Sequence, residues 1–184
     1  MRLEGKTVIY GGSFDPPHMS HQISCLYLLE ALGADSVWII PSATHPFGKS
    51  LSLFSTRFAM CKLMAAPFAG RVTVMLTEQE LGGNGHTYDT VCHLQALHPT
   101  RAFALAVGAD ILPETPRWHR WEALVERLSV VVLGRHGYPA PQAPLILPQV
   151  SSTQVRAMCK RGASLEGIVP KGVADFIAAH SLYR

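Results

Sequence analysis

Short apolar runs alternate with segments of helical periodicity along most of this 184-residue chain. Five runs are nearly continuous in apolar residues, as in parallel strands covered on both faces: residues 6–10, 36–41, 71–76, 102–107 and 129–133. Helical patterns lie between or after them, near residues 19–32, 55–66, 87–97, 118–128, 152–161 and 171–181. The alternation predicts an α/β fold in a single domain, residues 1–184. Its sheet is doubly wound, mainly parallel and Rossmann-like, with helices on both faces and a C-terminal helical segment. The run at 145–148 predicts one further short strand.

The composition excludes several classes of protein. A hydrophobic fraction of 48% and a charged fraction of 16% provide a core and argue against disorder. The formal charge of +3 is too small for wrapping nucleic acid and suits a small anionic ligand. The four cysteines form no C-x-x-C pair, so we expect buried free thiols in a reducing cytosol. The sequence shows neither a signal-peptide pattern nor a membrane-length apolar run, so we expect a soluble cytoplasmic protein that does not bind membranes.

Irregular segments follow the first four predicted strands. In open α/β sheets, ligands bind outside the carboxyl ends of the strands, near the point where the strand order reverses. The four segments that meet this description are residues 11–21 (GGSFDPPHMSH), 41–49 (PSATHPFGK), 76–90 (LTEQELGGNGHTYDT) and 108–118 (GADILPETPRW). We therefore expect the binding site at this edge of the sheet.

The segment after the first strand has the residue types of a phosphate site. Gly11 and Gly12 allow the backbone to approach a ligand, and Ser13 adds a hydroxyl group. His18 and His21 lie three positions apart at the start of the next helix, whose N-terminus favours anions. By spacing alone, the two histidines fit a surface pair about as well. A zinc site is a weaker alternative, because no third ligand stands at a recognisable spacing.

Two segments far apart in the chain resemble the two signatures of the nucleotidyltransferase superfamily with the HxGH motif. The first is GGSFDPPHMSH at 11–21, and the second is VSSTQVR at 150–156. Within this superfamily, the chain resembles bacterial nicotinate-nucleotide adenylyltransferases almost from end to end, including HTYDTV, VGADILPETPRWHRWEAL, VVVLGRHG and VPKGVADFIAAHSLY. It departs from the family pattern at Ser20, where the family has glycine, and at His86, where it usually has tyrosine. The segment THPFGK matches the family's P-P-H-K loop only loosely.

The resemblance implies that the protein joins ATP to nicotinate mononucleotide, giving deamido-NAD and pyrophosphate, a step of NAD biosynthesis. A phosphate monoester is largely ionised at neutral pH, so the nucleophile needs no general base. What remains is positioning and charge neutralisation, which we assign to His18 and His21 as catalytic residues. Phosphates should raise the pKa of an imidazole, which favours its cationic donor form. We expect Mg²⁺ to be held mainly by the ATP phosphates.

The resemblance also assigns the binding residues. For ATP these are Gly11, Gly12, Ser13, Phe14, Gly108, Asp110, Ser151, Ser152, Thr153 and Arg156. For the mononucleotide they are Asp15, His45, Lys49, Thr87, Trp118 and Arg135. Plainer alternatives stay open, because the SST segment and Asp110 also suit ordinary helix caps, and His45 and Lys49 also suit a solvated loop.

Other functions also remain open at this stage. The same superfamily contains adenylyltransferases that act on phosphopantetheine or on the amide mononucleotide, but HTYDT and the pair Trp118 and Trp121 favour the nicotinate branch. A non-catalytic nucleotide-binding regulator is a second alternative, against which the intact signature residues argue. A metal-binding module is a remote third. The sequence leaves a homo-oligomer open.

Overall fold

A single sheet of parallel strands organises the part of the chain that the computed structural model describes, residues 1–44, 50–82, 85–138, 140, 143 and 145–184. Its strands are β1 (Lys6–Gly12), β2 (Ser36–Pro41), β3 (Val72–Val74), β4 (Ala102–Gly108), β5 (Ser129–Arg135) and β6 (Ile146–Leu147). Their order in the sheet is β3-β2-β1-β4-β5-β6, and each neighbouring pair is parallel. The order reverses between β1 and β4, which is the topological switch point of a doubly wound fold. The predicted fold class is confirmed.

The helices connect the strands and close the chain. They are α1 (Met19–Leu26), α2 (Phe54–Ala65), α3 (Thr77–Glu80), α4 (Thr87–Leu97), α5 (Trp121–Arg127), α6 (Ser152–Lys160) and α7 (Lys171–Ala179). Helix α1 continues into a π-helical turn, Tyr27–Ala31, and 3₁₀ segments cover Ala66–Phe68 and Leu112–Arg117. No helix of the described residues is long and apolar enough to span a bilayer.

Consecutive residues of the central strands are buried on opposite faces of the sheet. Val8, Tyr10 and Val37 belong to one hydrophobic cluster, whereas Ile9 and Trp38 belong to the other. Helices α1, α2, α6 and α7 contribute to the first cluster, and α4 and α5 to the second. This two-sided burial explains why the strands read as continuous apolar runs rather than as alternating patterns.

The structure differs from the predicted helix at 118–128, which begins only at Trp121. The 3₁₀ segment Leu112–Arg117 precedes it, and Trp118 follows that segment in an extended conformation with a ψ of 141°. Arg120 has a φ of 54°, a left-handed conformation that separates the two segments. A second difference is α3, which occupies part of the segment 76–90 that the sequence predicts as irregular.

The predicted strand at 145–148 is present as β6, which pairs with β5. Gly134 of β5 lies so close to the Leu145 carbonyl oxygen that a Cβ atom there would collide with it. Because β6 is parallel to β5, the chain leaves β6 at the carboxyl edge of the sheet and enters α6 there. The second signature therefore starts at the same edge of the sheet as the first.

The cysteines are free, as expected, but their burial differs. Cys25 and Cys61 are buried, whereas Cys92 and Cys159 are only partly buried. Burial raises the pKa of the Cys25 thiol to about 12, so this thiol stays protonated at neutral pH.

Candidate active site

Two neighbouring cavities open at the carboxyl ends of the strands. The larger, of about 940 Å³, is lined by residues of both signature segments, including His18, His21 and Arg156. The smaller, of about 340 Å³, lies between the ends of β1 and β4 and the start of α4. Ser13 and Ile111 line both cavities, so the two are contiguous. Their position is the one expected for ligands of this fold.

Hydrogen bonds join the opening loop to the second signature. Arg156 Nη1 donates to the Asp15 carbonyl oxygen at 2.6 Å, and Ser152 Oγ donates to the Pro16 carbonyl oxygen at 2.9 Å. The bonded residues are 141 and 136 positions apart in the chain. The two segments therefore form one wall of the larger cavity.

Ser20, which replaces the family's glycine, adds a third connection. Its side chain is fully buried, and its hydroxyl group donates to the Pro148 carbonyl oxygen at 2.7 Å. A glycine has no hydroxyl group and cannot form this bond. The departure from the signature thus ties the start of α1 to the strand–helix connection before α6.

The imidazole rings of His18 and His21 stack on each other at the start of α1. Their centroids are 3.8 Å apart, and their planes differ by 24°. The backbone N–H of His18 donates to Nδ1 of His21 at 3.1 Å. Because Nδ1 accepts this bond, the ring proton of neutral His21 resides on Nε2, which makes that atom a donor.

Both histidines carry neutral rings at neutral pH. Burial, with a smaller contribution from Arg135, lowers the pKa of His18 to about 3. Burial, His18 and Arg135 together hold the pKa of His21 well below its usual value. Cationic imidazoles are therefore not the resting state of the site. An upward pKa shift beside bound phosphates stays a prediction.

The start of α6 has a cap and additional polar groups. Ser151 is the N-cap, and its side chain accepts from the Gln154 amide at 3.2 Å. Ser152 and Thr153 follow on the first turn and line the same cavity. Arg156 Nη2 donates to Thr153 Oγ1 at 3.2 Å. Capping therefore uses one of the three hydroxyl side chains.

The end of β4 meets the end of β5 through a charged pair. Arg135 Nε lies 3.5 Å from Asp110 Oδ1, and both residues line the larger cavity. Any side chain at Gly108 would collide with the Asp110 carboxylate. The resemblance assigns Arg135 to the mononucleotide, and that assignment stays a prediction; in the structure its guanidinium is paired with Asp110, a predicted ATP residue.

Phe14 lies beneath the site rather than in it. Its ring is 2% exposed and packs edge-on against His21, with 4.9 Å between centroids, and against Tyr10 at 5.6 Å. Only its backbone is therefore available for the predicted contact with ATP. The ring supports His21 from below.

Asp15 is engaged within the protein through both carboxylate oxygens. Oδ1 accepts from the Tyr183 hydroxyl group at 2.6 Å, and Oδ2 accepts from the Ser52 amide at 3.1 Å. The residue is 3% exposed. This geometry gives Asp15 a structural connection to the C-terminal segment, in addition to its predicted place beside the mononucleotide.

The smaller cavity has the lining of a site for an aromatic ring. Thr87, the first residue of α4, and Trp118 line it together with Gly11 and Gly12. A Cβ atom at Gly11 would meet nothing within 4 Å, which leaves space for a ligand. Trp121 packs edge-on against Trp118 at 5.6 Å and forms part of the wall behind it. His45 and Lys49 lie outside the described residues.

Three potential metal ligands meet at the rim of this cavity, a grouping that the sequence spacing did not reveal. One ligand atom each from His86, Asp89 and His119 lies within 4.8 Å of the others. The rings of His86 and His119 are stacked, with centroids 4.5 Å apart and planes that differ by 19°. The ring planes, which contain the nitrogen lone pairs, are therefore nearly parallel. One of the two rings would have to rotate before both could bind the same ion.

Sequence reasoning also missed Arg57, which is 1% exposed. Its guanidinium donates to three backbone carbonyl oxygens: Ser52 at 2.9 Å, Ser13 at 2.8 Å and Ser42 at 2.7 Å. In the sequence it is simply a polar position within a helical pattern. The spacing contains no signal that this side chain points inward.

Comparison with known proteins finds relatives that match nearly the whole chain. The profile of the cytidylyltransferase-like family matches residues 9–158. A curated "Probable nicotinate-nucleotide adenylyltransferase" of Anaeromyxobacter dehalogenans is 45% identical over 180 residues, covering 96% of this chain and 95% of the relative. A curated protein of the same name from Myxococcus xanthus is 38% identical and covers 100% of this chain and 97% of the relative.

Solved structures share the fold at lower identity. The nicotinic acid mononucleotide adenylyltransferase of Plasmodium falciparum, solved in complex with NaAD, has a TM-score of 0.81 and is 20% identical, and the match covers 97% of each chain. The same enzyme in complex with APC has a TM-score of 0.80 at 19% identity, with 98% of each chain covered. These two structures support the fold.

Proposed function

The chain belongs to the cytidylyltransferase-like family, and from this premise we propose that it transfers the adenylyl group of ATP to nicotinate mononucleotide. The products are deamido-NAD and pyrophosphate, and the reaction belongs to NAD biosynthesis. Relatives with this name cover nearly the whole chain at up to 45% identity. The activity is that of a nicotinate-nucleotide adenylyltransferase.

The observation that carries the proposal is the meeting of the two signature segments in one cavity. Arg156 and Ser152 bond to the backbone of the loop that leads to His18 and His21. A cavity that suits a pyridine ring adjoins this wall through Ser13. The protein thus has neighbouring sites for the two substrates of an adenylyl transfer.

In the reaction, a phosphate oxygen of the mononucleotide attacks the α-phosphorus of ATP. A new P–O bond forms as the bond from the α-phosphorus to the α,β-bridging oxygen breaks, and pyrophosphate leaves with that electron pair. The attacking phosphate is already ionised at neutral pH, so no proton has to be removed from it. The protein therefore acts by alignment and by stabilising the charge that develops at the α-phosphate.

His21 and His18 are suited to that stabilisation. Nε2–H of His21 is a fixed donor because Nδ1 accepts from the His18 backbone. The two rings are stacked, so two positive charges would repel each other, and at most one ring should become cationic when phosphates bind. The N-terminus of the 8-residue helix α1 adds a partial positive charge.

Arg156 and the SST segment are suited to the leaving pyrophosphate. The guanidinium is held by Asp15 and Thr153, so its orientation is set before ATP binds. A planar fork of this kind forms strong, directional bonds to phosphate oxygens. The amide groups at the start of α6 add further donors.

The acceptor base fits the smaller cavity. Trp118 offers an aromatic face to the pyridine ring, and the N-terminus of the 11-residue helix α4 begins at Thr87. Amide donors and the positive end of the helix dipole favour a carboxylate over a neutral amide. We therefore assign nicotinate mononucleotide rather than its amide analogue as the preferred acceptor.

Mg²⁺ would be held mainly by the phosphates of ATP. The carboxylates that line the larger cavity among the described residues are Asp15, whose oxygens both have partners in the protein, and Asp110, which is paired with Arg135. A side-chain set of this kind leaves the ion's ligands to come from the nucleotide and water. Such an ion would neutralise charge on the leaving pyrophosphate. We place the reaction in the cytoplasm.

The test is pyrophosphate release from ATP and Mg²⁺ with a panel of acceptors: nicotinate mononucleotide, nicotinamide mononucleotide and phosphopantetheine. The proposal expects turnover with the first acceptor and the highest kcat/KM for it. A preference for phosphopantetheine or nicotinamide mononucleotide would show that the protein is an adenylyltransferase with a different acceptor. Binding of ATP without turnover of any acceptor would identify a regulator.

A further inference from the structure

We propose that His86, Asp89 and His119 form a site for one divalent transition-metal ion of the Zn²⁺ type at the rim of the smaller cavity. One ligand atom of each residue, an imidazole nitrogen or a carboxylate oxygen, lies within 4.8 Å of the other two. Both histidines line the cavity, and none of the three residues is assigned to ATP or to the mononucleotide. The site is therefore additional to those of the proposed reaction.

Two elements bring the three ligands together. His86 is the N-cap residue of α4, and Asp89 lies three positions later in the first turn, so their side chains are neighbours on the helix surface. His119 comes from the turn before α5, between the extended Trp118 and the left-handed Arg120. Its ring stacks on that of His86, with centroids 4.5 Å apart. The turn thus places a second imidazole beside the start of α4.

The distances are close to those of a metal site. Two ligand atoms of a tetrahedral Zn²⁺ ion lie about 3.3 Å apart, because each bond to the ion is about 2.0–2.1 Å long. Nδ1 of His86 is already 3.5 Å from Oδ2 of Asp89. The 4.8 Å limit on the remaining distances therefore leaves a gap of about 1.5 Å or less to close.

The exposure of the three side chains allows this gap to close. His119 is exposed, and His86 and Asp89 are partly exposed. Side-chain bonds at such positions rotate without a change in the core. The stacked arrangement is therefore a starting point from which one ring turns toward a shared ion.

The ligand types select the kind of ion. Two imidazole nitrogens and one carboxylate suit Zn²⁺, Co²⁺ or Ni²⁺. Mg²⁺ instead prefers oxygen ligands in octahedral geometry. The site should therefore discriminate against the Mg²⁺ that accompanies ATP. Three protein ligands also leave the fourth position of a tetrahedral ion to water, so we expect an exchangeable ion that a chelator removes.

The charges around the site permit a cation. Among the described residues, the charged side chains that line the smaller cavity are Glu78, Glu114 and Arg117. Two carboxylates thus face one guanidinium. The guanidinium of Arg120, the next residue after His119, lies over the ring of Tyr88, 4.5 Å from its centroid. A cation–π contact of this kind gives Arg120 a partner other than the ligands.

The experiment uses Co²⁺ as the probe, with the whole chain and an excess of Mg²⁺. A tetrahedral Co²⁺ ion absorbs visible light more strongly than hydrated Co²⁺, so titration reports geometry, stoichiometry and affinity together. The variants are His119→Ala and His86→Tyr, the latter carrying the residue that is usual in the resembling family. The control is His180→Ala, which removes an exposed histidine at the end of α7.

We expect wild-type protein and His180→Ala to bind one Co²⁺ ion per chain with a tetrahedral spectrum. Zn²⁺ should displace this ion, and Mg²⁺ should not. Loss of one ligand should weaken binding by about a hundredfold or more in His119→Ala and in His86→Tyr. Thermal unfolding of the metal-free proteins checks that both variants are folded.

The outcomes are independent of catalysis, because no readout requires turnover. A wild-type protein without a tetrahedral Co²⁺ spectrum would overturn the proposal, and so would wild-type affinity in His119→Ala. An ion that is lost in His18→Ala but kept in His119→Ala would belong to the stacked pair His18 and His21, which would also contradict it. If His86→Tyr does not fold, His119→Ala decides, because its side chain is exposed.

Discussion

The guanidinium of Arg156 lies 2.6 Å from the carbonyl oxygen of Asp15, although the two residues are 141 positions apart in the chain. The bond joins the first strand–helix loop to the helix that follows the last strand. It exists because β1 and β5 are both neighbours of β4, so their carboxyl ends open toward the same cavity. Two sequence signatures thereby become one site.

Replacement of Arg156 should weaken the use of ATP. Arg156→Lys keeps the charge but loses the fork, so we expect a moderate loss of ATP affinity, and Arg156→Ala should cause a severe loss. Affinity for the mononucleotide alone should not change. Calorimetry with each substrate, together with steady-state rates, checks this prediction. If Arg156→Ala kept wild-type ATP affinity and rate, the prediction would be contradicted, and the second signature would be only a capped helix.

Replacement of His18 should affect the chemical step more than binding. If its imidazole stabilises charge at the α-phosphate, His18→Ala should lower kcat by about 10²–10³ with a smaller change in ATP affinity. The matched control is His180→Ala, because His180 is exposed at the end of α7, away from the cavity. A folded His18→Ala variant with near-wild-type kcat would remove His18 from the catalytic residues.

The buried His18 should also make the nucleotide-free protein sensitive to acid. Its pKa is about 3 in the folded protein and near 6.5 in the unfolded chain, so between these values the unfolded state binds more protons. The free energy of unfolding should therefore rise with pH across this window and diminish as pH falls from 6.5 toward 3. A tenfold change in proton affinity corresponds to about 1.4 kcal/mol, so the effect is on the order of a few kcal/mol.

Urea denaturation at about pH 4.5, inside this window, and at about pH 7.5, above it, measures the effect. Other groups titrate as well, so the comparison is with His18→Gln, which has no titrating ring. The pH-dependent difference in the free energy of unfolding should be smaller in the variant. An identical difference in both proteins would show that His18 keeps its ordinary pKa in the folded state.

The acceptor cavity should depend on the aromatic face of Trp118. Trp118→Ala should raise KM for the mononucleotide by roughly two- to tenfold, as expected from loss of one ring contact, whereas Trp118→Phe should have a smaller effect. KM for ATP should stay close to wild type, because Trp118 lines the smaller cavity only. Equal changes in both KM values would place the residue outside the acceptor site.

Much of the fold could be predicted because its signals are local. A strand buried on both faces has to be apolar at successive positions, as Val8, Ile9 and Tyr10 are. The predicted helix start at 118 is wrong because Trp118 is extended and Arg120 is left-handed, and apolar periodicity does not reveal these backbone conformations. The signatures are recognisable because phosphate chemistry needs glycines, histidines and helix starts in a fixed order.

The rest depends on contacts between distant segments. Nothing near Arg57 in the chain reveals three carbonyl oxygens from other loops, and nothing near His86 reveals His119. Arg135 ends β5, and nothing near it in the chain reveals that its side chain lies beside Asp110, which follows β4. Hydrophobic periodicity predicts which face of a helix or strand is buried, but it does not predict where one long polar side chain points.

The most direct test of the proposed function is the ratio of kcat/KM for nicotinate mononucleotide to that for nicotinamide mononucleotide, measured by pyrophosphate release with ATP and Mg²⁺. The two acceptors differ only in a carboxylate against a neutral amide, so the ratio reports on the acceptor cavity beside Thr87 and Trp118. We predict turnover of the acid mononucleotide and a ratio well above one. A ratio at or below one, or no release of pyrophosphate with the acid mononucleotide, would contradict the assignment.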